Sequence, residues 1–226
     1  MPPAYPLIAA LAAALLMWLT WSLVRTGRAR TAARAGYFDA LKPLFDGGET
    51  RLQPTGLPRM TGRRGGLAYD LQVLPDSLSY RKLPALWVMV SLPQPIPVPA
   101  TLDLMARPSG AEPFSRFADL PHSLPRPAFL ADGVALRSDD AARIPPQDLI
   151  ARHADLFDDP RAKELLISPR GLRIVFLAEE ADRGRYLIFR DAELAMTPLS
   201  PARIAPLLDR LAALRDDLDA WSRQTR

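Results

Sequence analysis

Apolar residues are unevenly spread along the chain, and the first block of them says the most. Leu7–Val24 (LIAALAAALLMWLTWSLV) contains no charged side chain, and Arg25, Arg28, Arg30 and Arg34 follow it closely. At ~1.5 Å rise per residue this stretch forms a helix of roughly 27 Å, close to the hydrocarbon thickness of a bilayer. Tyr5 marks one end, and Trp18 and Trp21 mark the other, as expected of rings anchored at headgroup depth. Apolar side chains on every face argue against a core helix. The span 6–24 is therefore read as a transmembrane helix.

Residues 1–6 (MPPAYP) carry no basic side chain, and Arg25-Thr26-Gly27-Arg28 makes a poor cleavage site, so an uncleaved signal-anchor is expected. With four arginines after the apolar run and none before it, the positive-inside bias predicts N-out/C-in topology. That places the remainder of the chain in the cytoplasm. The inverted anchor, with a periplasmic domain, is the alternative.

Helical spacing continues over Thr31–Phe45, with Tyr37, Phe38, Leu41, Leu44 and Phe45 on one face. Residues 25–48 read as a basic helical stalk, its last turn weakened by Pro43 and ended by Gly47-Gly48. From residue 49 the period shortens to that of strands. Leu67, Tyr69, Leu71 and Val73 alternate with Ala68, Asp70 and Gln72, after a tight turn at Arg63-Arg64-Gly65-Gly66. Leu83–Leu92 is apolar on both faces, which predicts a central strand with Trp87 as a core anchor. Leu102, Leu104 and Ala106 alternate again, and the three together predict an antiparallel meander.

Pro93, Pro95, Pro97 and Pro99 exclude a central strand between the second and third of these. A long proline-rich loop is expected over about 107–131. Further on, Val134 and Leu136 mark a short strand, and Pro145–Phe157 a helix with Leu149, Ile150, His153, Leu156 and Phe157 on one face. Asp159 as N-cap and Pro160 at the first helical position predict a second short helix. Strands Leu172–Ala178 and Tyr186–Met196 follow, joined by a charged loop at Glu179–Gly184.

A long helix opens at Ser200-Pro201. Ile204, Leu207, Leu211, Leu214, Leu218 and Trp221 step along it by 3, 4, 3, 4 and 3. Such a stripe covers a sheet or, as a heptad seam, binds a partner or a second copy of the chain. The expected fold class is α+β: an N-terminal transmembrane helix, then one domain (49–226) of antiparallel strands covered by helices, with a long amphipathic C-terminal helix.

The order of elements resembles that of uncharacterised bacterial single-pass membrane-anchored proteins of unknown function. The resemblance covers most of residues 55–220. It rests on the anchor, the run Arg81-Lys82-Leu83-Pro84-Ala85-Leu86-Trp87, the segment Asp159–Leu166, a hairpin and the closing helix. It implies a fold type and no activity.

Charge changes the picture less than the formal total of +4 suggests. The four juxtamembrane arginines come before the first acid, Asp39. Removing them from 29 basic residues leaves 25, against 25 acidic ones. The domain is thus neutral, without the broad basic footprint of a nucleic-acid binder. Zero cysteines exclude disulfides and thiolate chemistry. Arginine outnumbers lysine heavily (only Lys42, Lys82 and Lys163), as in proteins of GC-rich bacteria.

No motif carries chemistry. His153 lacks a second ligand one helical turn away and reads as a structural histidine; His122 lies in the proline-rich loop. Among acidic pairs, Asp158-Asp159 reads as a helix cap, Glu179-Glu180 as a hairpin tip and Asp216-Asp217 as a solvated helix face. Only Asp139-Asp140 lacks an evident structural duty. No phosphate-binding glycine loop, cofactor site or metal site is predicted. The expectation is a non-catalytic binding or scaffolding domain at the inner membrane, whose partners are the bilayer and a membrane-associated protein or a second copy. The alternatives are a tethered hydrolase with its site near 111–140, favoured by a pocket gathering His122, Asp139 and Asp140, and a periplasmic-facing assembly factor.

Overall fold

The computed structural model describes residues 4–76, 83–181, 194 and 196–225. Helix α1 (Ala4–Ala35) runs unbroken through the apolar block and the first arginines. It is long and apolar enough to span a membrane, and none of its apolar window is buried against the rest of the chain. Trp18, Trp21 and Leu23 are all largely exposed.

Behind it lies, among the described residues, one nine-stranded sheet whose pairings are all antiparallel. Its strands are β1 (Asp46–Leu52), β2 (Pro58–Arg64), β3 (Leu67–Asp76), β4 (Ala85–Leu92), β5 (Leu102–Ala106), β6 (His122–Leu124), β7 (Val134–Ser138), β8 (Ala162–Ser168) and β9 (Gly171–Glu180). Their order across the sheet is β1-β2-β3-β4-β9-β8-β5-β7-β6. The α+β class with a long apolar N-terminal helix and a C-terminal helix is what the sequence pattern predicts.

Register places one apolar residue from each central strand in a row: Leu71, Val90, Ile174, Leu165, Leu104 and Leu136. Helix α3 (Pro201–Gln224) lies over the β4–β9 part of this face. Ile204, Leu208, Leu211, Leu214 and Leu218 are fully buried there, and the Tyr69 hydroxyl donates to the Leu208 carbonyl at 3.1 Å. The helix starts where expected because Pro201 needs no N–H partner in the first turn.

The predicted seam requires correction. Ile204, Leu211, Leu214 and Leu218 are consumed by the chain's own core, Leu208 takes the place given to Leu207, and Leu207 and Trp221 are only partly buried. A stripe filled by the sheet is not open to a partner.

The stalk also differs from expectation. It is not one helix: α1 ends at Ala35, a 3-10 turn covers Asp39–Leu44, and Gly47-Gly48 fall inside β1. Tyr37, Phe38 and Leu41 are fully buried between this turn, the β1–β2 edge and α3, and the Leu199 N–H donates to the Tyr37 carbonyl at 3.3 Å. Helix α1 thus leads directly into the core.

Strands β3 and β4 do form a hairpin, but β5 leaves the expected meander. It pairs with β7 and β8, so β9 and β8 separate it from β4. Asp159 and Pro160 close a turn ahead of a strand rather than opening a helix. The Asp159 carboxylate accepts the Arg161 N–H at 2.8 Å in a turn, and Ala162–Ser168 then runs as β8. The 3.6-residue reading of that segment fails because the strand is buried on both faces.

The helix read over Pro145–Phe157 splits into α2 (Gln147–Ala151) and a 3-10 turn, with its apolar residues buried as expected. The strand expected over Tyr186–Met196 lies almost wholly outside the described residues, as do Arg81 and Lys82; Leu194 and Met196 are not in a strand.

Two hairpins owe their form to glycine. Gly65 and Gly66 both take positive φ (57° and 80°) in the two-residue turn from β2 to β3. Gly171, at φ 151°, starts β9 so close to β4 that a Cβ would sit 2.5 Å from the Leu92 carbonyl oxygen.

If α3 is a core element, Leu211→Ala in the detergent-solubilised full chain costs ~2–5 kcal/mol by chemical denaturation, with no change in molar mass. An equally stable variant of lower mass would mean that the stripe serves association instead.

Candidate functional site

The sheet's other face carries the charges. Residues alternate across the pleat, so the strands that bury Leu71, Val90, Ile174, Leu165 and Leu104 turn Asp70, Ser91, Arg173, Glu164 and Asp103 the other way. At the β2–β3 end, Arg59 makes a two-point ion pair with Asp70 (2.8 and 2.7 Å), which also accepts from Gln72.

In the centre, Asp103 and Glu164 are diagonal neighbours on β5 and β8, exposed by 2 % and 0 %. Arg173 Nε donates to Glu164 Oε2 at 2.9 Å. Burial, then the charge of Glu164, raises the Asp103 pKa to about 8, while Arg173 and a hydrogen bond from Ser115 oppose the shift. Asp103 Oδ1 and Glu164 Oε1 are buried without any other donor, and a single proton held between the two carboxyl groups satisfies both.

The pair sits under a strap, Arg107–Leu120, that crosses this face. A bulge in β8 between Ala162 and Glu164 lets Lys163 and Glu164 both turn inward. Lys163 Nζ donates to the carbonyls of Ala106 and Arg107 (2.9 and 2.7 Å) and pairs with Glu112 at 3.2 Å, holding the strap's first half. Ser115 Oγ donates to Asp103 Oδ2 at 3.2 Å. Phe114 packs on Trp87 with ring centroids 5.2 Å apart, and Phe117 lies beneath the Arg137 guanidinium. Met105 and Val175 complete this second, smaller apolar cluster.

Beside the strap opens a cleft of about 680 Å³ whose wall includes Asp103, Ser115, Arg116, Asp139, Arg170 and Arg173. A cleft of about 580 Å³ on the strap's other side is lined by Trp87, Glu112 and Lys163 among others. Phe114 separates the two.

The residues singled out in the sequence are dispersed. Arg25, Arg28 and Arg30 are exposed along α1, with Arg25 over the Trp21 ring at 5.2 Å, and Arg34 is half-buried near the domain. Asp139 does reach the larger cleft, but its carboxylate accepts the Thr101 N–H at 2.7 Å, and neither His122, on edge strand β6, nor Asp140 joins it there. His153 is 5 % exposed, with Nε2 3.1 Å from Asp217; burial lowers its pKa although Asp217 works the other way.

Asp217 is therefore not on a solvated face, and Glu179 is no hairpin tip, since it accepts the N–H groups of Met196 and Thr197 ahead of α3. Among the described residues, no three His, Asp or Glu side chains gather as a metal site. Sequence reading missed Asp103 and Glu164. Their one signal is a carboxylate set between apolar neighbours in LDLMA and KELLI.

Comparison of the chain with family models, with curated proteins and with solved structures gives no match.

The raised Asp103 pKa has a thermodynamic sign. The folded state holds this proton more tightly than the unfolded chain, so the stabilisation is complete below the unfolded value near 4 and is lost as pH rises towards 8. Asp103→Asn keeps a neutral donor and removes the titration. Its stability relative to the wild type should increase from pH 5 to pH 8, measured by thermal melts of the solubilised full chain. A constant difference would show that Asp103 titrates normally.

Proposed function

We propose that the chain is a single-pass protein of the bacterial inner membrane whose domain faces the cytoplasm and acts as a non-catalytic binding or scaffolding module. The observation that carries this reading is the splice between anchor and domain. An exposed apolar helix ending in arginines passes within three residues into Tyr37 and Phe38, which are fully buried in the domain core. A domain fixed to its anchor without a free tether is held at a set height and orientation above the bilayer. That suits presentation of a surface to a membrane-associated partner or a second copy of the chain.

The tethered hydrolase is the second reading, and one observation favours it: the carboxyl pair lies beneath a cleft walled by Pro113–Arg116 and Asp139, within the segment expected to hold such a site. Burial of both carboxyl groups below the strap supports the binding module instead, because a general acid or base must reach its substrate within hydrogen-bond distance.

Topology is the part open to direct test. A reporter fused after Arg226 should behave as cytoplasmic, and moving the four arginines to positions 2–5 should invert it. Activity of a periplasm-dependent reporter at the native C-terminus would replace this reading with that of a periplasmic-facing assembly factor.

A further inference from the structure

The larger cleft holds two cations that have no ion-pair partner among the described residues. Arg116, on the strap, and Arg170, in the turn between β8 and β9, both line it and are exposed. Among the described residues neither guanidinium has an ion-pair or hydrogen-bond partner, whereas Arg173 on the floor is committed to Glu164. Asp139, also at the wall, is turned towards the Thr101 amide. Three arginines line the wall against two aspartates, Asp103 and Asp139, and the two uncommitted arginines are the exposed ones.

The strap is placed for this arrangement. Ser115 is fixed to buried Asp103 and Phe114 is packed on Trp87, so Arg116, the next residue, is presented at the rim from a fastened backbone. Deeper in, Ser91 stands directly opposite Arg173 in the sheet, and its hydroxyl has no protein partner among the described residues. Asp139 uses one carboxylate oxygen on Thr101 and has the other to offer. Leu166 and Leu172 supply apolar wall.

We propose that this cleft binds a small phosphorylated hydroxy compound, its phosphate held by Arg116 and Arg170 and its hydroxyl groups by Ser91 and Asp139. Guanidinium groups match phosphate oxygens in geometry and charge, and a volume of about 680 Å³ suits a ligand of sugar-phosphate size. The assignment gives a ligand class to the binding-module reading and rests on that part of it, while requiring nothing of the topology. The same phosphate chemistry is offered by a free metabolite and by a lipid headgroup. The cleft opens on the sheet face opposite α3 and Tyr37, above strands three to six places from β1, so a water-soluble source is expected.

Phosphorus NMR on the detergent-solubilised full chain tests this with inorganic phosphate, glycerol 3-phosphate, glucose 6-phosphate and short-chain phosphatidic acid below its micellar concentration. Saturable broadening is expected, stronger for glucose 6-phosphate than for inorganic phosphate. Arg116→Ala and Arg170→Ala should each weaken binding roughly tenfold, as loss of a charge-assisted hydrogen bond does. Arg223→Ala, on the exposed end of α3, should change nothing.

Preference for the lipid would keep the phosphate site and move its source to the membrane. Release of inorganic phosphate, lost in the two cleft variants, would support the site while overturning the non-catalytic reading. No binding at 10 mM by a folded wild type, or equal effects from all three substitutions, would sink the proposal.

Discussion

Burial of one apolar sheet face beneath α3 is the constraint on which the rest of the structure depends. The row from Leu71 to Leu136 exists only because six strands hold a common register, and five fully buried α3 side chains, from Ile204 to Leu218, close over part of it. A one-residue slip in any strand would exchange Leu165 or Ile174 for Glu164 or Arg173 on that face. The same α3 completes the enclosure of Tyr37 and Phe38, so the join between α1 and the domain shares the fate of the core. Ion pairs from Arg210 to Asp155 and from Arg64 to Asp209 ring this contact, but they are exposed and contribute little beside the apolar burial.

Elements were legible in the sequence where one period governed them alone. The apolar N-terminal helix, the alternation of β3 and the Ser200-Pro201 start of α3 all belong to this kind. Misreadings fall where burial on two faces erased the period. Ala162–Ser168 is enclosed between two strands and two layers, so neither alternation nor a charged face remained, and Asp159-Pro160 looked like a helix start although it closes a turn. Strands β1 and β2 escaped because Gly47, Gly48 and Gly62 weaken any strand pattern. Two of these glycines are there because Met60 and Phe45 pack where their side chains would be. The insertion of β9 and β8 between β4 and β5 is a tertiary fact. No local pattern reports which edge a strand will join.

The candidate site was hidden for a different reason. Asp103 and Glu164 are 61 positions apart in the chain, and each alone resembles a polar residue on the outward side of a strand. Their significance comes from pairing in adjacent strands and from the strap that shuts out water above them. Asp139 and His122, by contrast, stood out as sequence features. They turned out to serve a backbone N–H and an exposed edge strand.

A buried, half-neutralised carboxyl pair asks for an account, since apolar residues of similar volume at such a position are often as stable or more so. Its hydrogen bonds indicate what it does. Ser115 to Asp103 and Arg173 to Glu164 tie the strap and β9 to the junction of β5 and β8, a place where apolar contacts alone would allow the strap to slide. Lys163 repeats the device nearby, reaching two backbone carbonyls and Glu112 from the bulge. Both polar ties act on one loop, and they hold it over the sheet face opposite α3. The division of labour follows from this. The apolar face supplies the stability and seats the residues that follow α1, which leaves the other face free to carry costly polar groups whose effect is to fix the wall of a cleft.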